Sequence, residues 1–161
     1  MSRPVETPFP DPGTLLNGAT FGDRFTLSLP RHDLDAIETS RRVFGRTPGW
    51  IKALLTARNI MVMPLGLKSA APEGPSHHGQ IGIFPVVTQS PDRVVLGFDD
   101  KHLDFRVSLD IAPGQNGQRD ISVATAVKTH NALGRTYLAM VKPFHRVIVP
   151  AMLKQADTQA A

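Results

Sequence analysis

The chain reads as an α+β domain: a curved antiparallel sheet wrapped around a long, kinked C-terminal helix. Three observations predict this. Between Asn131 and Ala156, Leu133, Tyr137, Met140, Val141, Phe144, Val147, Ile148 and Met152 follow steps of 4, 3, 1, 3, 3, 1 and 4, one face of an α-helix. Pro143 and Pro150 sit inside that pattern, nearly two turns apart. Each removes a backbone hydrogen bond on almost the same side, and two bends in one direction make a curve. Finally, four strand candidates joined by short links precede the helix, and short links make antiparallel neighbours.

Taken in order, residues 1–18 hold four prolines and few large apolar side chains, which predicts a flexible tail. In FTLSLP at 25–30, Phe25, Leu27 and Leu29 alternate with Thr26 and Ser28, a strand with one buried face that Pro30 ends. Asp33 or Asp35 caps a short helix that carries Leu34, Ile37, Val43 and Phe44 inward and stops at Gly45. Thr47-Pro48 opens a second helix to about Leu65, with Trp50, Ile51, Leu54, Leu55, Met61, Val62 and Leu65 inside. A polar loop, KSAAPEGPSHHG, fills 68–79. Strands are then expected over Gln80–Thr88, Arg93–Phe98, His102–Ile111 and Asp120–Thr129, and Asn131 caps the last helix. The order β-α-α-β-β-β-β-α argues for α+β over a parallel doubly wound sheet. One folded domain spans 19–156, with 157–161 as a disordered end.

A chain of 161 residues buries about 70% of its unfolded surface and needs no staples. It contains no cysteine, which excludes disulfides, thiol chemistry and thiolate metal sites. No apolar run is long enough for a membrane span or a signal peptide, so a cytoplasmic protein is the expectation. The net charge is +4, but the cations are scattered. With one Tyr and one Trp, a base-stacking platform would depend on the eight Phe, and specific nucleic-acid binding is not expected.

Several groups could carry chemistry. On DDKHLDFRVSLDI, Leu103, Phe105, Val107, Leu109 and Ile111 point one way and His102, Asp104, Arg106, Ser108 and Asp110 the other. His102, Asp104 and Arg106 could orient, protonate or clamp a substrate. They could equally be a solvent-facing ladder of charge pairs, and the cleaner core pattern of the opposite face favours that. His130 sits at a strand-to-helix junction, either at a cavity mouth or as a strand-end residue. Within the last helix, Pro143 frees the carbonyl of Ala139, Tyr137, Phe144 and Ile148 would wall an apolar cavity, and His145 flanks it. The plainer alternative is that Tyr137 and Phe144 are core. Arg135, Lys142 and Arg146 share a helix face, most simply a solvated one. His77-His78 point apart and lack a third ligand, so no metal is expected. There is no phosphate-cradling loop, dinucleotide fingerprint, nucleophile elbow or zinc-protease motif, and no cofactor is expected.

The element order resembles the helix-grip fold of the START and polyketide-cyclase-like (SRPBCC) superfamily. Four strings are similar to one bacterial domain-of-unknown-function family within it: TPGWIKALLTARN at 47–59, LGLK at 65–68, DDKHLDFRVS at 99–108 and HNALGRTYLAMVKPFHRVIVPAML at 130–153. The likeness covers roughly residues 20–155. It implies a sheet gripping the last helix, about seven strands where at most six candidates are visible, counting FTLSLP and a possible strand from Gly18 to Phe21, and often a cavity between sheet and helix. It carries no mechanism with it.

The expected function is binding of a small hydrophobic or amphipathic molecule in that cavity. Its lining would be Trp50, Leu54, Phe105, His130, Tyr137, Val141, Phe144 and Ile148. The alternatives are a cyclase- or hydrolase-like enzyme using His102, Asp104, Arg106 or His145, and an interaction module whose cavity is filled; a homodimer is compatible with each. Trp50 and Phe144 are expected as central core anchors.

Overall fold

Alternating side chains along the middle of the chain build an antiparallel sheet, and among the described residues two amphipathic helices pack on one of its faces. The structure is a computed structural model describing residues 3–30, 33, 35–45, 49, 79–82, 84–99 and 102–158. Its strands are β1 (Val5–Glu6), β2 (Phe21–Leu29), β3 (Gln80–Ile81), β4 (Phe84–Gln89), β5 (Arg93–Asp99), β6 (Leu103–Pro113) and β7 (Arg119–Thr129). Its helices are α1 (Ala36–Phe44), α2 (Ala132–Leu153) and the short α3 (Gln155–Thr158). Six strands run in the order β1-β2-β7-β6-β5-β4, and β3 extends the row by pairing with β4. Every pairing is antiparallel. This is an α+β fold with an open sheet and a long C-terminal helix.

The register puts one apolar phase of each long strand on the helix face. Across the sheet, Leu27 faces Ile121, which faces Ile111. One step along, Phe25, Val123, Leu109 and Val94 align in the same way. These side chains are buried in one core with Val43 and Phe44 of α1 and Met152 and Leu153 of α2. Asp35 caps α1, accepting from the Glu38 N–H at 2.8 Å, and Gly45 ends it. Asn131 caps α2, accepting from the Gly134 N–H at 2.9 Å. α2 runs unbroken through both Pro143 and Pro150.

The structure departs from the sequence reading in three places. The single strand expected over Gln80–Thr88 is two strands, because the chain folds back at Gly82. That residue has φ +60, and a Cβ there would run into the carbonyl of Phe44. The FTLSLP strand starts earlier, at Phe21, which brings Asp23 into the inward phase. The proline-rich segment expected as a loose tail lies along β2. Val5 and Glu6 pair with Thr26 and Phe25, and the Arg24 guanidinium bonds Thr7 Oγ1 at 3.1 Å and the Pro8 carbonyl. Pro12 and Phe9 sit so close over Gly22 that a side chain there would collide with Pro12. That segment therefore covers part of the sheet's far face, where Ala126 faces Gly22 and is fully buried. The second helix expected from Pro48 and the 68–79 loop fall almost wholly outside the described residues.

Candidate functional site

α2 lies against β7 and β2, and the middle of that seam is polar. Asp23 of β2 is 7% exposed and occupies a position that, one step along the strand, holds Phe25 and Leu27. His145 comes down from α2, and its Nε2 donates to Asp23 Oδ1 at 3.1 Å. Thr125 of β7 is directly opposite Asp23 in the register and 2% exposed. Its Oγ1 has no hydrogen-bond partner among the described residues. Phe21 meets the His145 ring edge-on at 6.3 Å between centroids, and Lys142 Nζ sits 4.8 Å above the Phe21 ring. A carboxylate, an imidazole and a hydroxyl thus converge beneath a helix, walled on the β2 side by one aromatic ring.

Helical geometry decides what lies on the other side. At about 3.6 residues per turn, Lys142 and Phe144 fall on opposite flanks of His145. Lys142 points to β2, so the flank carrying Tyr137 and Phe144 faces away from β2, toward the side of the sheet where β6 follows β7. There the helix face of the sheet presents aromatic rings that are only half-buried: Phe105, and Phe84 at 5.7 Å from it, with Phe44 of α1 edge-on to Phe84 at 6.1 Å. Phe144 is 41% exposed and Val147 56%. The apolar arc of α2 is wider than the strip the sheet covers.

The sequence-predicted residues separate into two groups. Phe105, Tyr137, Val141, Phe144, Ile148 and His145 all lie on the seam or its open flank. Ile148 and Phe105 are partly buried against the core. Phe144 is not the core anchor expected of it, because its row of the helix overhangs the sheet. His102, Asp104, Arg106 and His130 do not join this group. The strand phase sends Asp104 and Arg106 to the far face, opposite Phe105 and Val107. Arg106 pairs with Asp99 at 2.8 Å and Asp104 with His130 at 3.0 Å. Arg93 and Asp110 continue the ladder at 3.5 Å. His130 thus faces away from the seam. His102 Nδ1 accepts from Asn131 Nδ2 at 3.0 Å, so the cap residue uses both ends of its amide. Trp50 and Leu54 lie outside the described residues.

Asp23 and Thr125 were missed, yet both leave a trace in the sequence. Each is a polar residue in an otherwise apolar period-2 phase: Phe21, Asp23, Phe25, Leu27 in one strand and Ile121, Val123, Thr125, Val127 in the other. Among the described residues no group of three His, Cys, Asp or Glu could hold a metal ion. No helix among them is long and apolar enough to cross a membrane.

No curated protein matches this chain. Among solved structures, CalU16 from Micromonospora echinospora matches with 11% identity and a TM-score of 0.33, over 98% of this chain and 91% of that one. The family model described as "Protein of unknown function (DUF2867)" matches residues 15–152, which includes Asp23, Thr125 and His145 and nearly all of the sheet and α2. The chain belongs to the DUF2867 family.

Proposed function

We propose that this domain binds a small hydrophobic or amphipathic molecule between its sheet and the middle of α2, in a helix-grip arrangement. The observation that carries this reading is the uneven burial of α2. Gly134 at one end and Met152 and Leu153 at the other are buried, while Met140, Phe144 and Val147 between them are exposed. α2 is held by packing at its two ends and more loosely between them. Large apolar side chains left open beside half-buried aromatic rings gain from any apolar molecule that covers them. The polar cluster at Asp23 supplies the few oriented groups that such sites need.

The reading is tested by uptake of an uncharged environment-sensitive dye such as Nile red, alongside native mass spectrometry of protein purified from cells. The wild type takes up the dye. Phe144→Asp lowers its affinity about tenfold or more, since burying a Phe ring is worth about 1.5–3 kcal/mol, while the melting temperature changes little. Equal uptake by the variant, or none by the wild type, overturns the proposal.

A further inference from the structure

We propose that the polar end of the bound molecule is a hydroxyl group, received jointly by Thr125 and Asp23. This rests on the binding reading above and deepens it by naming the ligand's head group. Thr125 and Asp23 face each other across the β2–β7 pair, which puts their Cβ atoms about 5 Å apart. His145 Nε2 occupies Asp23 Oδ1. A carboxylate accepts at two oxygens, so it can take a further donor. Thr125 Oγ1 is buried and without a partner among the described residues, and a hydroxyl both donates and accepts.

The group that completes this set donates one hydrogen bond to Asp23 and accepts one from Thr125. An alcohol does both with a single atom. A carboxylate head would set two anions face to face, and an ether or ester oxygen would have no proton to give Asp23. Lys142 stands over Phe21, the ring that meets His145 edge-on, so a cation already lies on the β2 side of the cluster. The chemical class is therefore an apolar molecule ending in an alcohol. Thr125 is covered when the site is empty, so entry requires the middle of α2 to lift. That stretch has few buried side chains, and Pro143 within it gives α2 one backbone hydrogen bond fewer.

The experiment is competition of Nile red by three probes of equal chain length: 1-decanol, its methyl ether and decanoate. The alcohol should displace the dye about tenfold more tightly than the ether or the carboxylate, the value of one hydrogen bond to a charged partner. Thr125→Val keeps the shape and removes the hydroxyl. It should hold or raise the melting temperature, because an unpartnered buried hydroxyl is lost, while reducing decanol to the affinity of the ether. Asp23→Asn is the second variant, and in it decanoate should gain on decanol. Dye uptake without preference for the alcohol, or decanol binding untouched by Thr125→Val, overturns the head-group assignment and leaves apolar binding standing. Absence of dye uptake overturns both.

Discussion

The two halves of the seam beneath α2 are built on opposite principles. At its C-terminal end the helix is sealed by packing, with Met152 and Leu153 buried against the sheet and α1, followed by Ala156 of α3. In its middle the contact is a hydrogen bond between His145 and Asp23, with the unpartnered Thr125 hydroxyl beside it and exposed apolar side chains on one flank. The sealed end is good for stability and leaves nothing for a ligand. The middle gives up burial and keeps polar groups in a place where packing would favour Leu or Val. Polar groups under a helix cost stability unless they are satisfied. The proposed binding site lies at the open half, beside Asp23 and Thr125.

The sharpest way to break this comparison is to empty the sealed end. Leu153 is fully buried, so Leu153→Ala should cost about 2–5 kcal/mol in denaturant titration, the range for a core leucine left as a cavity. A loss below about 1 kcal/mol would show that the helix is not clamped there.

A middle-sized effect is expected from the two histidine–aspartate pairs, one on each sheet face. Asp23→Ala removes the partner of the half-buried His145 N–H and should cost about 1–3 kcal/mol. Asp104→Ala breaks the more exposed pair with His130 and should cost under about 1 kcal/mol, as exposed ion pairs do. Equal losses in the two variants would mean that the seam is as wet as the far face.

The smallest expected change is the most telling about the open half. Phe144→Ala should cost under about 1 kcal/mol, since the ring is already in water over much of its surface. A cost near that of Leu153→Ala would place Phe144 in a sealed core and remove the open flank on which ligand binding rests.

Much of the framework was legible because it is written in local periodicity. The period-2 phases placed β5, β6 and β7 to within a residue or two, and the turn-forming links between them made antiparallel pairing the expected outcome. Asn131 could be read as a cap, and Asp35 as one of two candidates with Asp33, because a side-chain oxygen before an apolar helix has few other local uses. The far-face ladder of Arg106, Asp104 and Asp110 was readable from the same alternation. The site was much less legible. Asp23 fell before the expected start of its strand, so its inward phase went unread. His102 and His130 looked like site residues because polar groups flank each of them in the sequence, but the structure ties His102 to the Asn131 cap and His130 to Asp104 on the far face.

Alone, the sequence determined the elements, their phases and their caps, since each depends on residues within a turn or two of one another. Only the tertiary structure decided which elements meet. Gly134 shows the difference. By helix propensity alanine would serve better there by about 1 kcal/mol, yet a Cβ at Gly134 would run into the carbonyl of His102 on the chain entering β6. Asp23 and His145 are 122 residues apart and bond only because β2 and α2 flank the same seam. The width of the apolar arc on α2 was visible in the sequence. How much of that arc the sheet covers was not, because it depends on where the helix axis lies over the strands, and that is set by packing at the buried ends.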